Sequence, residues 1–155
     1  MEIRLALQKL FWSKKMMVDI VCYVYFILFL YAAFSKLLAY EKSQLQMSKS
    51  PVITNFASIL VWLVPVIEIV IATLLITKKT IMLGLYAALA LMIMFTAYII
   101  AILNFSDTVP CSCGGVLEKL GWTEHLLFNL AFMLLAIIAI LLQTKIKERN
   151  VAYSH

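Results

Sequence analysis

The chain has 155 residues, is 65% hydrophobic and only 14% charged, and carries a net charge of +5. A soluble domain of this length has too little interior for that much apolar surface. The basic residues flank apolar runs rather than forming a patch for nucleic acid. Runs of about 20 apolar residues recur, which is the length that crosses a bilayer. The whole of 1–155 therefore reads as a single all-α integral membrane domain, a four-transmembrane-helix bundle.

In chain order, residues 1–15 form a basic, amphipathic leader in which Leu5, Leu7, Leu10, Phe11 and Trp12 alternate with Arg4, Lys9 and Lys14. It reads equally as an interfacial helix on an anionic leaflet or as a solvated leader that fixes orientation. The first span, about 17–38, is too long for a signal core and lacks a small-x-small cleavage site after it. It contains Cys22, read as a small buried hydrophobe, and ends near Lys36, which is placed to snorkel to the interface. A polar loop closed by Pro51 leads to the second span, about 52–76, which holds Pro65 and Glu68. The turn Thr77-Lys78-Lys79-Thr80 is so short that spans two and three must form an antiparallel hairpin. The third span covers about 81–103 and the fourth about 123–142. Between them, 104–122 is a loop, and a basic tail follows.

Orientation follows from lysine and arginine beside the spans. The leader, the Lys78-Lys79 turn and the tail with Lys145, Lys147 and Arg149 hold nine of the thirteen basic residues. That side is expected to be cytoplasmic, with both termini inside and the loop 104–122 outside. In a bacterial inner membrane the loop then faces an oxidising compartment.

The loop carries Pro110-Cys111-Ser112-Cys113-Gly114-Gly115, two of the three cysteines in the chain. Two residues of extended chain span about 6.6–7 Å, at the upper limit for the Cα separation in a disulfide. A bridge between Cys111 and Cys113 thus needs a bent backbone, which Gly114 and Gly115 permit. Strained, exposed bridges tend to be labile. A cycling dithiol, a static disulfide and a soft-metal site using Cys111, Cys113 and His125 all fit this spacing. The metal reading has no evident fourth ligand.

Thr123 is the expected N-cap of the last helix, with Glu124 favourable in its first turn. His125 follows at the membrane surface, near the thiols in sequence, with Asn129 one turn deeper on the same face. His125 could lower a thiol pKa or relay its proton. The bland alternative is an interfacial histidine with Asn129 as helix-packing glue. Glu68 is the other exceptional residue, because a carboxylate near mid-bilayer marks function or a buried partner. Glu68 lies over ten residues below the outer end of its span, about 15 Å at 1.5 Å per residue, which argues against a direct pair with His125. Glu68 is expected to be neutral or hydrogen-bonded to a neighbouring tyrosine, with Pro65 opening the helix beside it.

Three stretches carry a family resemblance. Phe34-Ser35-Lys36-Leu37 closes the first span, Pro65-Val66-Ile67-Glu68 stands in the second, and Cys111-Ser112-Cys113-Gly114-Gly115 fills the loop. Over about residues 17–143 this pattern resembles the DoxX/MauE superfamily of four-span membrane proteins, and the 111–125 block resembles redox-associated members of Bacteroidetes-type bacteria. The resemblance implies a four-helix membrane bundle linked to thiol and sulfur redox chemistry or to maturation of a disulfide-rich periplasmic enzyme.

Together these readings favour a thiol–disulfide redox protein that exchanges with an extracytoplasmic thioredoxin-like or client protein. The candidate catalytic residues are Cys111, Cys113, His125 and Glu68, and quinone is a candidate cofactor. The alternatives are a non-enzymatic subunit or assembly factor of a membrane complex, and a metal-binding membrane protein.

Overall fold

A computed structural model describes residues 2–41, 44, 57–105 and 121–152. Among them are four long helices and no strand: α1 (Glu2–Leu38), α2 (Ala57–Ile76), α3 (Ile81–Phe105) and α4 (Trp122–Ala152). All four are long and apolar enough to cross a membrane. Each packs on its neighbours in the chain, and α4 closes the ring on α1.

The pattern that builds this ring is one narrow inward stripe per helix. On α1 the buried positions among the described residues are Val18, Cys22, Tyr25, Phe29, Ala33 and Lys36; on α2 they are Val61, Pro65, Glu68, Ile71, Ala72 and Leu75. Apart from the adjacent pair Ile71 and Ala72, both series advance by three or four residues, the periodicity of one helical face. The opposite faces are just as apolar: Ile59, Trp62, Leu63, Val66 and Val70 all stand exposed on α2. An apolar exterior of this kind is what a lipid solvent permits.

α1 runs without interruption from Glu2, so the basic leader prolongs the first span instead of leaving it as a separate interfacial element. Its 37 residues extend to about 55 Å, well beyond the hydrocarbon thickness of about 30 Å. α4 likewise continues through the basic tail to Ala152. Backbone hydrogen bonds stay internal to the helices, and Thr73, Thr96 and Thr144 each donate their hydroxyl to the carbonyl four residues back, leaving few polar groups to face lipid.

Two contacts fix the geometry around the ring. The Tyr25 hydroxyl donates to the Phe132 carbonyl at 2.6 Å, and the two rings meet edge to face at 5.3 Å, tying α1 to α4. The expected hairpin joins α2 to α3 through Thr77–Thr80, with the Thr80 hydroxyl donating to the Leu74 carbonyl at 3.0 Å. Just past the turn, a Cβ on Gly84 would stand 3.0 Å from the backbone of Leu74 and Leu75. Backbone cannot yield as a flexible side chain can. Gly84→Ala is therefore expected to wedge α2 from α3 and cost about 1–3 kcal/mol, read as a lowered unfolding midpoint in detergent. An unchanged midpoint would mean that the two helices do not approach this closely.

Candidate functional site

Among the described residues the buried polar side chains are Lys36, Glu68, Thr96 and Asn129, one from each helix. A four-helix ring that places one polar residue per helix on its inner stripe has an arranged polar interior, since each such group in hydrocarbon is expensive on its own. The centre of the arrangement is an ion pair. The Lys36 ammonium donates to Glu68 Oε1 at 2.5 Å, and Glu68 is wholly buried. The ammonium also lies 5.6 Å from the centroid of the Phe95 ring on α3, a cation–π approach that partly offsets its lost hydration.

This corrects two sequence-based expectations. Lys36 does not snorkel outward; although it sits two residues from the end of α1, only 9% of it is exposed, because its four-carbon stem turns down into the bundle. Glu68 is paired with a lysine rather than with a tyrosine, and the buried Tyr25 gives its hydroxyl to α4 instead. An acceptor-only carboxylate in low dielectric gains far more from an ammonium than from a phenol. Pro65 lies in the middle of α2, yet the helix continues through it, and the proline packs inward one turn before Glu68.

Across the ring, α4 presents His125 and, four residues on, Asn129. The start of this helix differs from expectation by two residues. Trp122 is already helical, so Gly121 rather than Thr123 holds the N-cap position. The Gly121 N–H donates to the Glu124 carboxylate, and the His125 N–H donates to the Gly121 carbonyl at 3.0 Å. This is the reach-back half of a capping box, with the acid at the third helical position. The cap fixes His125 one turn inside the helix, half-buried, and Asn129 below it is only 2% exposed. Among the described residues His125 and Glu68 share no hydrogen bond, and Glu68 is bonded to Lys36 instead. His125 Nδ1, Asn129 Nδ2 and Glu68 Oε2 are all buried without a hydrogen-bond partner among the described residues.

Cys111 and Cys113 lie outside the described residues. The flanking helix ends, Phe105 of α3 and Gly121 before α4, stand at the same end of the ring as the C-terminus of α1 with Lys36. Cys22 is a buried free thiol on the inner stripe, 14 residues before Lys36 and thus about 21 Å away along the helix. It belongs to the packed core, as its sequence context indicated. Among the described residues no three His, Cys, Asp or Glu side chains gather as a metal would need.

The family described as methylamine utilisation protein MauE matches residues 14–142. The chain belongs to the MauE family. The match takes in α2, α3, most of α1 and α4, and every candidate residue, and leaves out the basic start of α1 and the basic extension of α4. MauE membership and four apolar helices make the chain a multi-pass membrane protein. No curated protein and no solved structure matches it.

Lys36 is the residue that reading the sequence missed. Its signal was present: a glutamate in mid-span calls for a cation, and Lys36 lies inside the limits of the first span. Charge balance within the spans would have paired them.

Proposed function

We propose that this MauE-family protein is a thiol–disulfide redox protein of the bacterial inner membrane, exchanging with an extracytoplasmic thioredoxin-like or client protein through Cys111 and Cys113. The observation that carries the reading is the polar interior of the ring, with the buried Lys36–Glu68 pair and with His125 near the start of α4. The helix ends that bracket the Cys-x-Cys segment are at the same end of the ring as the start of α4 and the C-terminus of α1 with Lys36. Thiol–disulfide exchange moves protons with electrons, so groups able to hold protons are useful beside it. In this reading one cysteine attacks the partner's disulfide and the other resolves the mixed intermediate. His125 favours the thiolate, and Glu68, balanced by Lys36, is the proton-holding group within the bundle.

The test is to trap thiols in growing cells by alkylation, with and without added oxidant. The Cys111–Cys113 pair is expected to change redox state, whereas a pair permanently oxidised or permanently reduced would make the loop a static docking element of a membrane complex. Orientation is tested in the same cells. A membrane-impermeant thiol reagent applied to intact spheroplasts is expected to label reduced Cys111 and Cys113 and to spare Cys22. Labelling of Cys22 alone would invert the arrangement, and with it the positive-inside assignment of both termini to the cytoplasm.

A further inference from the structure

The basic end of the ring lies opposite the helix ends that bracket the Cys-x-Cys segment. Lysines that only set topology reach outward to water. Lys14 does not: it is half-buried between the exposed Ser13 and Lys15. Its register explains why. Lys14, Tyr25 and Lys36 are spaced eleven residues apart, close to three full turns, so all three leave α1 in nearly the same direction. Tyr25 and Lys36 are buried on the inner stripe. Lys14 therefore continues that stripe at the mouth of the ring, one turn before the buried Val18.

α4 brings further cations to the same level. The two helices run antiparallel, and the contact of Tyr25 with Phe132 sets their register. Eleven residues back along α1 from Tyr25 is Lys14, and eleven forward along α4 from Phe132 is Gln143. Lys145 and Lys147 follow within about 6 Å along the axis. Both are exposed, and Ile146 between them is buried in the same apolar cluster as Val18. Each helix thus contributes two lysines. Among the described residues none of the four has a carboxylate partner. Asp19 and Glu148, the carboxylates nearby in sequence, leave the group positive.

The surroundings decide which anion fits. From Lys14 to Lys36 the helix rises about 33 Å, close to the hydrocarbon thickness of about 30 Å, which puts the four lysines at headgroup depth. Directly on their membrane side, Met16, Met17 and Ile20 of α1 and Ile138 and Leu141 of α4 are exposed and apolar. A free phosphate gains nothing from that surface, whereas acyl chains cover it. Four lysines at one level also match more than a single phosphate charge. We propose that Lys14, Lys15, Lys145 and Lys147 hold the headgroup of an anionic phospholipid bearing two phosphates, with its acyl chains laid along α1 and α4. The lipid then joins the first helix of the ring to the last. The site goes beyond the thiol reading and does not depend on it.

The test uses the full chain, delipidated in neutral detergent and titrated with cardiolipin, phosphatidylglycerol and phosphatidylcholine, with bound lipid counted by native mass spectrometry. One tightly held cardiolipin per chain is expected, with phosphatidylglycerol weaker and phosphatidylcholine weakest. Lys14→Gln combined with Lys145→Gln is expected to weaken cardiolipin about thirtyfold, roughly fivefold for each lysine at a charged surface. Lys15→Gln combined with Lys147→Gln removes two exposed lysines and is expected to act similarly, so that the result does not depend on one variant folding. Lys78→Gln combined with Lys79→Gln removes the same charge from the hairpin turn and is expected to leave the affinity unchanged. Phosphatidylcholine binding as tightly as cardiolipin, or a loss in the hairpin variant equal to that of the other two, overturns the site. Displacement of cardiolipin by millimolar pyrophosphate would give the lysines to a soluble phosphate and overturns the assignment to a lipid.

Discussion

Lys36→Met alone is expected to destabilise the protein by about 3–5 kcal/mol, and Glu68→Leu alone by a similar amount, whereas the double variant should stay close to the wild type in stability. Either single change leaves one ion without its partner at a site where Glu68 is fully buried and Lys36 nearly so. Removing both takes away the desolvation cost together with the attraction, and replaces the pair by side chains that pack in an apolar ring. The measurement is a double-mutant cycle on unfolding in detergent or lipid. A large favourable coupling is the signature of the 2.5 Å contact. Additive single effects would mean that Lys36 and Glu68 do not meet. The double variant also separates fold from function. A bundle that folds without the pair yet no longer supports thiol exchange assigns Lys36 and Glu68 to the chemistry. One that folds and works assigns them to assembly.

Cys111→Ser or Cys113→Ser is expected to abolish function as completely as the double substitution, and one of the two singles should accumulate a covalent adduct with its partner. The reason lies in the mechanism of exchange: the first thiolate forms a mixed disulfide, and only the neighbouring thiol releases it. Removal of the resolving cysteine strands that intermediate. Non-reducing electrophoresis followed by reduction reads the adduct directly, and the cysteine that remains in the trapping variant is the attacking one. His125→Ala should slow trapping by lowering the thiolate fraction. Cys22→Ser should trap nothing, since Cys22 is buried and about 21 Å down α1 from Lys36. If neither single variant yields an adduct and the double variant still functions, the loop is structural and the exchange reading is lost.

The inward faces of the helices were legible because helical periodicity places His125 and Asn129, or Pro65 and Glu68, on one side whatever surrounds them. Glu68 announced itself by its cost in hydrocarbon. Its partner did not, because Lys36 stands at a position where lysines normally reach out to the headgroups. Whether a stem turns out or in depends on what waits in the bundle, which is a property of α2 rather than of α1. The N-cap was misplaced for a related reason. Thr123 has the better capping side chain, but Glu124 is three residues from Gly121 and satisfies that glycine's N–H instead.

The sequence by itself determined the four apolar spans, the hairpin at Thr77–Thr80 and the membership of Lys36, Glu68, His125 and the Cys-x-Cys segment in recognisable motifs. These depend on length, local periodicity and turn chemistry, all of which act over a few residues. Only the tertiary structure decided that Lys36 closes on Glu68 and that, among the described residues, one buried polar residue comes from each helix. Those facts depend on the ring order of the helices and on their relative depth. Both are set by packing between different helices, such as the seat of Tyr25 on Phe132 and the close approach of α3 to α2 at Gly84.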